Sequence, residues 1–109
     1  MEYMEIIETS IYTEEITRLL SDDEYKELQD FLIQHPTYGD LIQGSKGLRK
    51  IRWKLRNRGK SGGIRNIYYF YEEKKTLYMI YVYKKGKTEN LTPKQIETLS
   101  KTFLGDEDG

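Results

Sequence analysis

From Leu48 onward the side chains adopt a period of two: Ile51, Trp53 and Leu55 alternate with Lys50, Arg52, Lys54 and Arg56. That is the pattern of a strand with one apolar and one charged face. Two further runs, Ile64 to Tyr71 and Thr76 to Tyr83, are rich in Ile and Tyr and are separated only by Glu72 to Lys75, which predicts a tight antiparallel pair. Three consecutive strands of this kind must bury their apolar face against another layer. The segments before and after them supply helices for it.

Ser21-Asp22-Asp23-Glu24 is a capping box, and Tyr25, Leu28, Phe31 and Leu32 fall on one helical face before Pro36 stops the run. Upstream, Tyr3 to Glu8 predicts a short strand, and Thr13 followed by Glu14 and Glu15 predicts a brief capped helix. Thr37 to Gly47, with Gly39-Asp40 and Gly44-Ser45, reads as a connecting loop. The last helix opens at Thr92-Pro93-Lys94-Gln95 and buries Ile96, Leu99 and Phe103. The expected class is α+β in the order β-α-α-β-β-β-α: a twisted antiparallel sheet with one face on helices and the other left for a ligand. At 109 residues one domain is expected over 1–104, with the acidic 105–109 segment as a disordered tail.

The net charge of zero hides a strong asymmetry. Residues 1–40 hold eleven acidic side chains against Arg18 and Lys26, whereas residues 41–109 hold sixteen basic and seven acidic ones. Lys46, Arg49, Lys50, Arg52, Lys54, Arg56, Arg58, Lys60 and Arg65 all precede the next acid, Glu72. On a strand, same-face cations stand about 6.6 Å apart. Such a row is either a solvated polar face or a polyanion-binding one, and a single sign of charge favours the second. Arg58-Gly59-Lys60-Ser61-Gly62-Gly63 leading into Ile64-Arg65 is either a solubilising hairpin loop or one that brings backbone amides to a phosphate. It lacks the spacing of a nucleotide-triphosphate loop.

The inventory excludes several chemistries. There are no cysteines and a single His35, which is best read as structural at a helix end, so disulfides, thiolate zinc sites and His-based or triad catalysis lack their side chains. No metal or other cofactor is expected. The ten tyrosines are mostly structural strand residues, and Trp53 belongs to the apolar side. The leading residues carry no basic n-region, and no apolar run approaches the roughly 20 residues of a membrane helix. A cytoplasmic protein is expected. RNA brings its own nucleophile, the 2′-hydroxyl, so Arg and Lys suffice to orient it and to neutralise a phosphorane-like transition state.

The segments Gly47-Leu48-Arg49-Lys50-Ile51-Arg52-Trp53, Gly59-Lys60-Ser61-Gly62-Gly63-Ile64-Arg65-Asn66-Ile67-Tyr68-Tyr69 and Tyr81-Val82-Tyr83-Lys84-Lys85-Gly86 together resemble HigB-like toxins of the RelE/ParE superfamily. The resemblance implies a RelE-like fold and a metal-independent endoribonuclease that cuts mRNA in the ribosomal A site, leaving a 2′,3′-cyclic phosphate. It implies as partners the 70S ribosome with its mRNA and a cognate antitoxin, HigA-like with a helix-turn-helix domain, through which alone DNA would be met. Carried over by position, the substrate-facing residues are Arg52, Lys54, Arg65, Lys84 and Lys85, with Arg65 stabilising the phosphate. Lys54, Lys84, Lys85 and Tyr83 are the candidates for the general base. Lys46, Arg49, Lys50, Arg56, Arg58, Lys60 and Lys87 complete the expected RNA or ribosome contacts. The chain differs from RelE in a longer loop between the second and third strands, in Lys85 where RelE has Arg, and in lacking a counterpart after Lys87 of the C-terminal catalytic Tyr. A ParE-like gyrase inhibitor and a non-catalytic RNA- or ribosome-binding module are the competing functions.

Overall fold

A computed structural model describes residues 4–55, 63–86 and 91–104. Its elements are β1 (Glu5–Glu8), α1 (Ser10–Leu19), α2 (Asp22–Gln34), β2 (Asp40–Leu41), β3 (Arg49–Trp53), β4 (Ile64–Tyr71), a 3-10 turn (Glu72–Lys74), β5 (Thr76–Lys84) and α3 (Pro93–Leu104). The described strands form one sheet in the order β1-β5-β4-β3-β2. The α+β class and the order of the long elements are as expected. Two details differ. β1 runs parallel to β5, with Glu5 opposite Thr76 and Glu8 opposite Met79, so the sheet is mixed rather than antiparallel throughout. The 37–47 segment contributes a two-residue edge strand, β2, which pairs with β3. The expected tail at 105–109 lies outside the described residues.

Local chemistry explains most of the boundaries. In α2 the Ser21 hydroxyl accepts from the Glu24 amide while the Glu24 carboxylate accepts from the Ser21 amide, as the sequence predicted. Residues Thr92 and Gln95 form the same reciprocal pair at α3. For α1 the cap is Thr9 rather than Thr13, so the helix starts four residues earlier, at Ser10, and Glu14 and Glu15 fall beyond its first turn. Thr9 is the better cap because its Oγ1 has two uses: it accepts from the Tyr12 amide at 3.0 Å and donates to the Ile80 carbonyl at 2.9 Å. That second bond seats α1 on β5, next to the irregularity where Ile67 faces Tyr81 but Tyr68 faces Met79.

Both faces of the sheet carry helices, which corrects the expectation of one open face. On the first, Tyr12, Ile16, Leu28 and Leu32 of α1 and α2 pack with Ile51, Ile64, Tyr68, Leu77 and Met79. Trp53 joins this layer, with its ring 5.5 Å from that of Phe31. The second face buries Leu48, Ile67 and Ile80 beneath Leu99 and Phe103 of α3. Ser100 Oγ fixes the helix there by donating to the Ser45 carbonyl at 2.6 Å, both residues being buried. An apolar sheet face of this size is too costly to leave in water, and α3 covers it.

Candidate functional site

The strand register decides which basic residues can act together. Arg52 stands directly opposite Arg65, and Arg65 directly opposite Tyr83. Directly opposed residues share a face, so the three form one row across β3, β4 and β5. The preceding row on that face is Lys50, Ile67 and Tyr81, and it is Ile67 that α3 buries. The Arg52 row therefore lies one step beyond the apolar patch, toward the end of the sheet where β3 stops and β5 runs out.

Arg52 is exposed, whereas Arg65 is only 6% and Tyr83 only 8% exposed. Like charges directly opposite one another destabilise a strand pair, and an anion seated across the two guanidinium groups turns that repulsion into bidentate attraction. Tyr83 Oη is fully buried and, among the described residues, has no hydrogen-bond partner. Burial pushes this phenol above its ordinary range, the Arg65 charge draws it back, and Tyr81 raises it again. A phenol so held stays protonated near neutral pH and is a hydrogen-bond donor. This argues against Tyr83 as the general base.

The other expected residues divide between the two faces. Lys54 is exposed just past β3 and borders a depression with Glu24, Glu27, Arg52 and Leu55. Lys84 is opposite the buried Ile64 and so faces the α1 side, where it borders a depression with Ile11, Glu15 and Tyr83. Lys85 is exposed and its amide donates to the Gly63 carbonyl at 3.0 Å. All three stand at the same end of the sheet as the Arg52 row. Lys50 is half-buried on the row's face, and Lys46 is exposed at φ 65° in the turn before Leu48. Arg49 is on the opposite face and is used structurally, its Nη1 donating to the Thr37 and Gly39 carbonyls at 3.0 and 2.7 Å. Arg56, Arg58, Lys60 and Lys87 lie outside the described residues.

No protein-family model matches the chain. Solved structures do resemble it, among them two from E. coli. A chain of the intact E. coli RelBE toxin–antitoxin complex has 22% identity and a TM-score of 0.58, covering 76% of this chain and 98% of that one. The E. coli toxin RelE, an arginine-to-alanine double mutant in its free state, has 15% identity and a TM-score of 0.59, covering 93% of this chain and 97% of that one. This chain has the RelE fold.

Within the RelE fold the 37–47 segment is more than the connecting loop that its Gly and Asp residues suggest. It forms the wall of a cleft of about 730 Å³ lined by Tyr38, Asp40, Gln43, Lys50 and Arg52, among others. Nothing in the local sequence marks Tyr38 or Gln43, because the placement of Tyr38 depends on Tyr68 and Arg49 reaching across from the sheet and that of Gln43 on its neighbour Ile42, whose amide donates to the Leu48 carbonyl. Tyr68 Oη accepts from the Gly39 amide and donates to the Pro36 carbonyl, both at 2.9 Å. Arg49, expected to contact RNA, supplies the other half of this clamp.

Proposed function

We propose that the chain is the toxin of a type II toxin–antitoxin pair, a HigB-like member of the RelE superfamily that acts in the cytoplasm as a ribosome-dependent, metal-independent mRNA endoribonuclease. The observation that carries this is the Arg52, Arg65 and Tyr83 row, two arginines and a tyrosine at directly opposed positions on one sheet face. The RelE fold and the resemblance of the basic segments support it. In the proposed reaction the 2′-oxygen attacks the adjacent phosphorus, its proton passing to Lys54, Lys84 or Lys85. The bond to the 5′-oxygen breaks, that oxygen gains a proton, and a 2′,3′-cyclic phosphate remains. Arg65 and Arg52 hold the non-bridging oxygens, where charge builds in the transition state, and Tyr83 is a neutral neighbour of Arg65 in the same row. Lys46, Lys50, Arg56, Arg58, Lys60 and Lys87 extend the contact to RNA or ribosome. The partners are the 70S ribosome with its mRNA and a HigA-like antitoxin, by which DNA is reached.

Purified protein added to ribosomes translating a defined message tests this. Discrete A-site cuts ending in cyclic phosphate are expected, with Arg65→Ala slowing cleavage about 100-fold or more while its thermal unfolding stays cooperative. A fully active Arg65→Ala overturns the site assignment. Stalled ribosomes on uncut message identify a binding module instead, and DNA double-strand breaks with intact messages identify a gyrase inhibitor.

A further inference from the structure

We propose that the cleft beside β2 is a subsite for an unpaired nucleobase of the RNA, with Tyr38 as its stacking platform and Asp40 and Gln43 reading the base edge. This rests on the nuclease reading and adds a specificity-determining element to it.

Tyr38 is 65% exposed, which is unusual for a ring that is also firmly held. The carbonyls on either side of it, of Thr37 and Gly39, receive the Arg49 guanidinium, and Tyr68 Oη binds the Gly39 amide and the Pro36 carbonyl. The ring itself meets Phe31 edge-on, with centroids 4.9 Å apart and planes at 86°. Two side chains from the sheet thus fix the backbone on either side of Tyr38, and one from α2 contacts its ring, which stays largely open to solvent. A pre-organised ring loses little conformational freedom when a base stacks on it.

The rest of the cleft suits a nucleotide better than a peptide or a lipid. Its lining combines an aromatic ring with a carboxylate, an amide, an ammonium and a guanidinium group, and its volume of about 730 Å³ lies within the roughly 300–1,000 Å³ typical of small-ligand sites. Asp40 accepts and Gln43 both donates and accepts, which are the groups that distinguish base edges. Lys50 stands opposite Asp40 in the β2–β3 register and offsets the charge that would otherwise repel a polyanion. Arg52 belongs to both the cleft and the phosphate row. A phosphate held by Arg52 and Arg65 therefore delivers its neighbouring base to the cleft.

Cut-site mapping with kcat and KM on programmed ribosomes, for wild type, Tyr38→Ala and Tyr38→Phe, tests this together with amide NMR of the free protein titrated with a single-stranded RNA hexanucleotide. Tyr38→Ala is expected to raise KM roughly tenfold, the scale of one lost base stack, and to flatten base preference at one position beside the cut. Tyr38→Phe recovers both. The proposal is overturned if Tyr38→Ala cuts with wild-type efficiency and site distribution, including the case in which only antitoxin binding is lost. If wild type makes no cuts, the nuclease reading fails and the hexanucleotide decides: shifts at Tyr38, Asp40 and Gln43 uphold the base subsite, and their absence rejects it.

Discussion

Deleting a single hydroxyl should have opposite effects on stability at two buried tyrosines. Tyr12 is fully buried, and its Oη donates to Asn66 Oδ1 at 2.6 Å. The Asn66 Nδ2 already has no partner among the described residues, so Tyr12→Phe leaves both ends of a buried amide unsatisfied. An abandoned buried acceptor costs about 1–3 kcal/mol. Taking about 2 kcal/mol, and about 4–8 °C per kcal/mol for a domain of this size, the midpoint should fall by roughly 10 °C. Tyr83→Phe removes a buried hydroxyl that has no partner among the described residues, so its stability should stay level or rise by up to about 1 kcal/mol. Scanning calorimetry or urea melts of the two variants provide the comparison. A loss of more than about 1 kcal/mol in Tyr83→Phe, or equal losses in both, would refute the assignment of partners on which this rests.

Gly63→Ala should destabilise by at least about 2 kcal/mol, because φ is +72° there and a Cβ would come within 2.2 Å of the Trp53 carbonyl oxygen. Urea midpoints measure the loss, and a variant as stable as wild type contradicts the close approach of β3 and β4. Alkaline pH should unfold the protein. Burial first, then Tyr25 and Glu8, raise the Tyr12 phenol above its ordinary value of 10.0, so the fold holds a proton that the unfolded chain releases. This contribution is complete below pH 10 and declines as pH rises past it, by about 1.4 kcal/mol per pH unit. Tyr12→Phe should make the decline shallower by that amount, read from melts between pH 9 and 12 on the order of half a unit apart.

Features written in neighbouring residues were legible from the sequence. Ser21 with Glu24 and Thr92 with Gln95 announce helix starts within four positions, and Ile64 to Tyr83 announces its hairpin through composition and one turn. Features that depend on distant partners were not. Thr13 looks as good a cap as Thr9 until the Ile80 carbonyl is known to be there. The direction of β1 has no local signature, since a strand of Ile and Glu pairs either way. Alternation placed Arg52 on the charged face but could not show that its neighbour across the sheet is Arg65, because register needs both strands. Resemblance to the RelE/ParE superfamily groups Lys54 and Lys84 with Arg52 and Arg65. The structure sets them at the same end of the sheet, Lys84 toward α1. Tyr38 became visible only once Arg49 and Tyr68 were seen to grip the chain on either side of it.

The bond from Thr9 to Ile80 joins positions 71 apart, and β1 has β5 as its neighbour in the sheet. A chain made from its N-terminus must therefore synthesise β5 before β1 can dock. Contacts of such long range slow folding. A nascent copy thus leaves β1 without its mate until β5 has been made, and the five-stranded sheet can close only after that point.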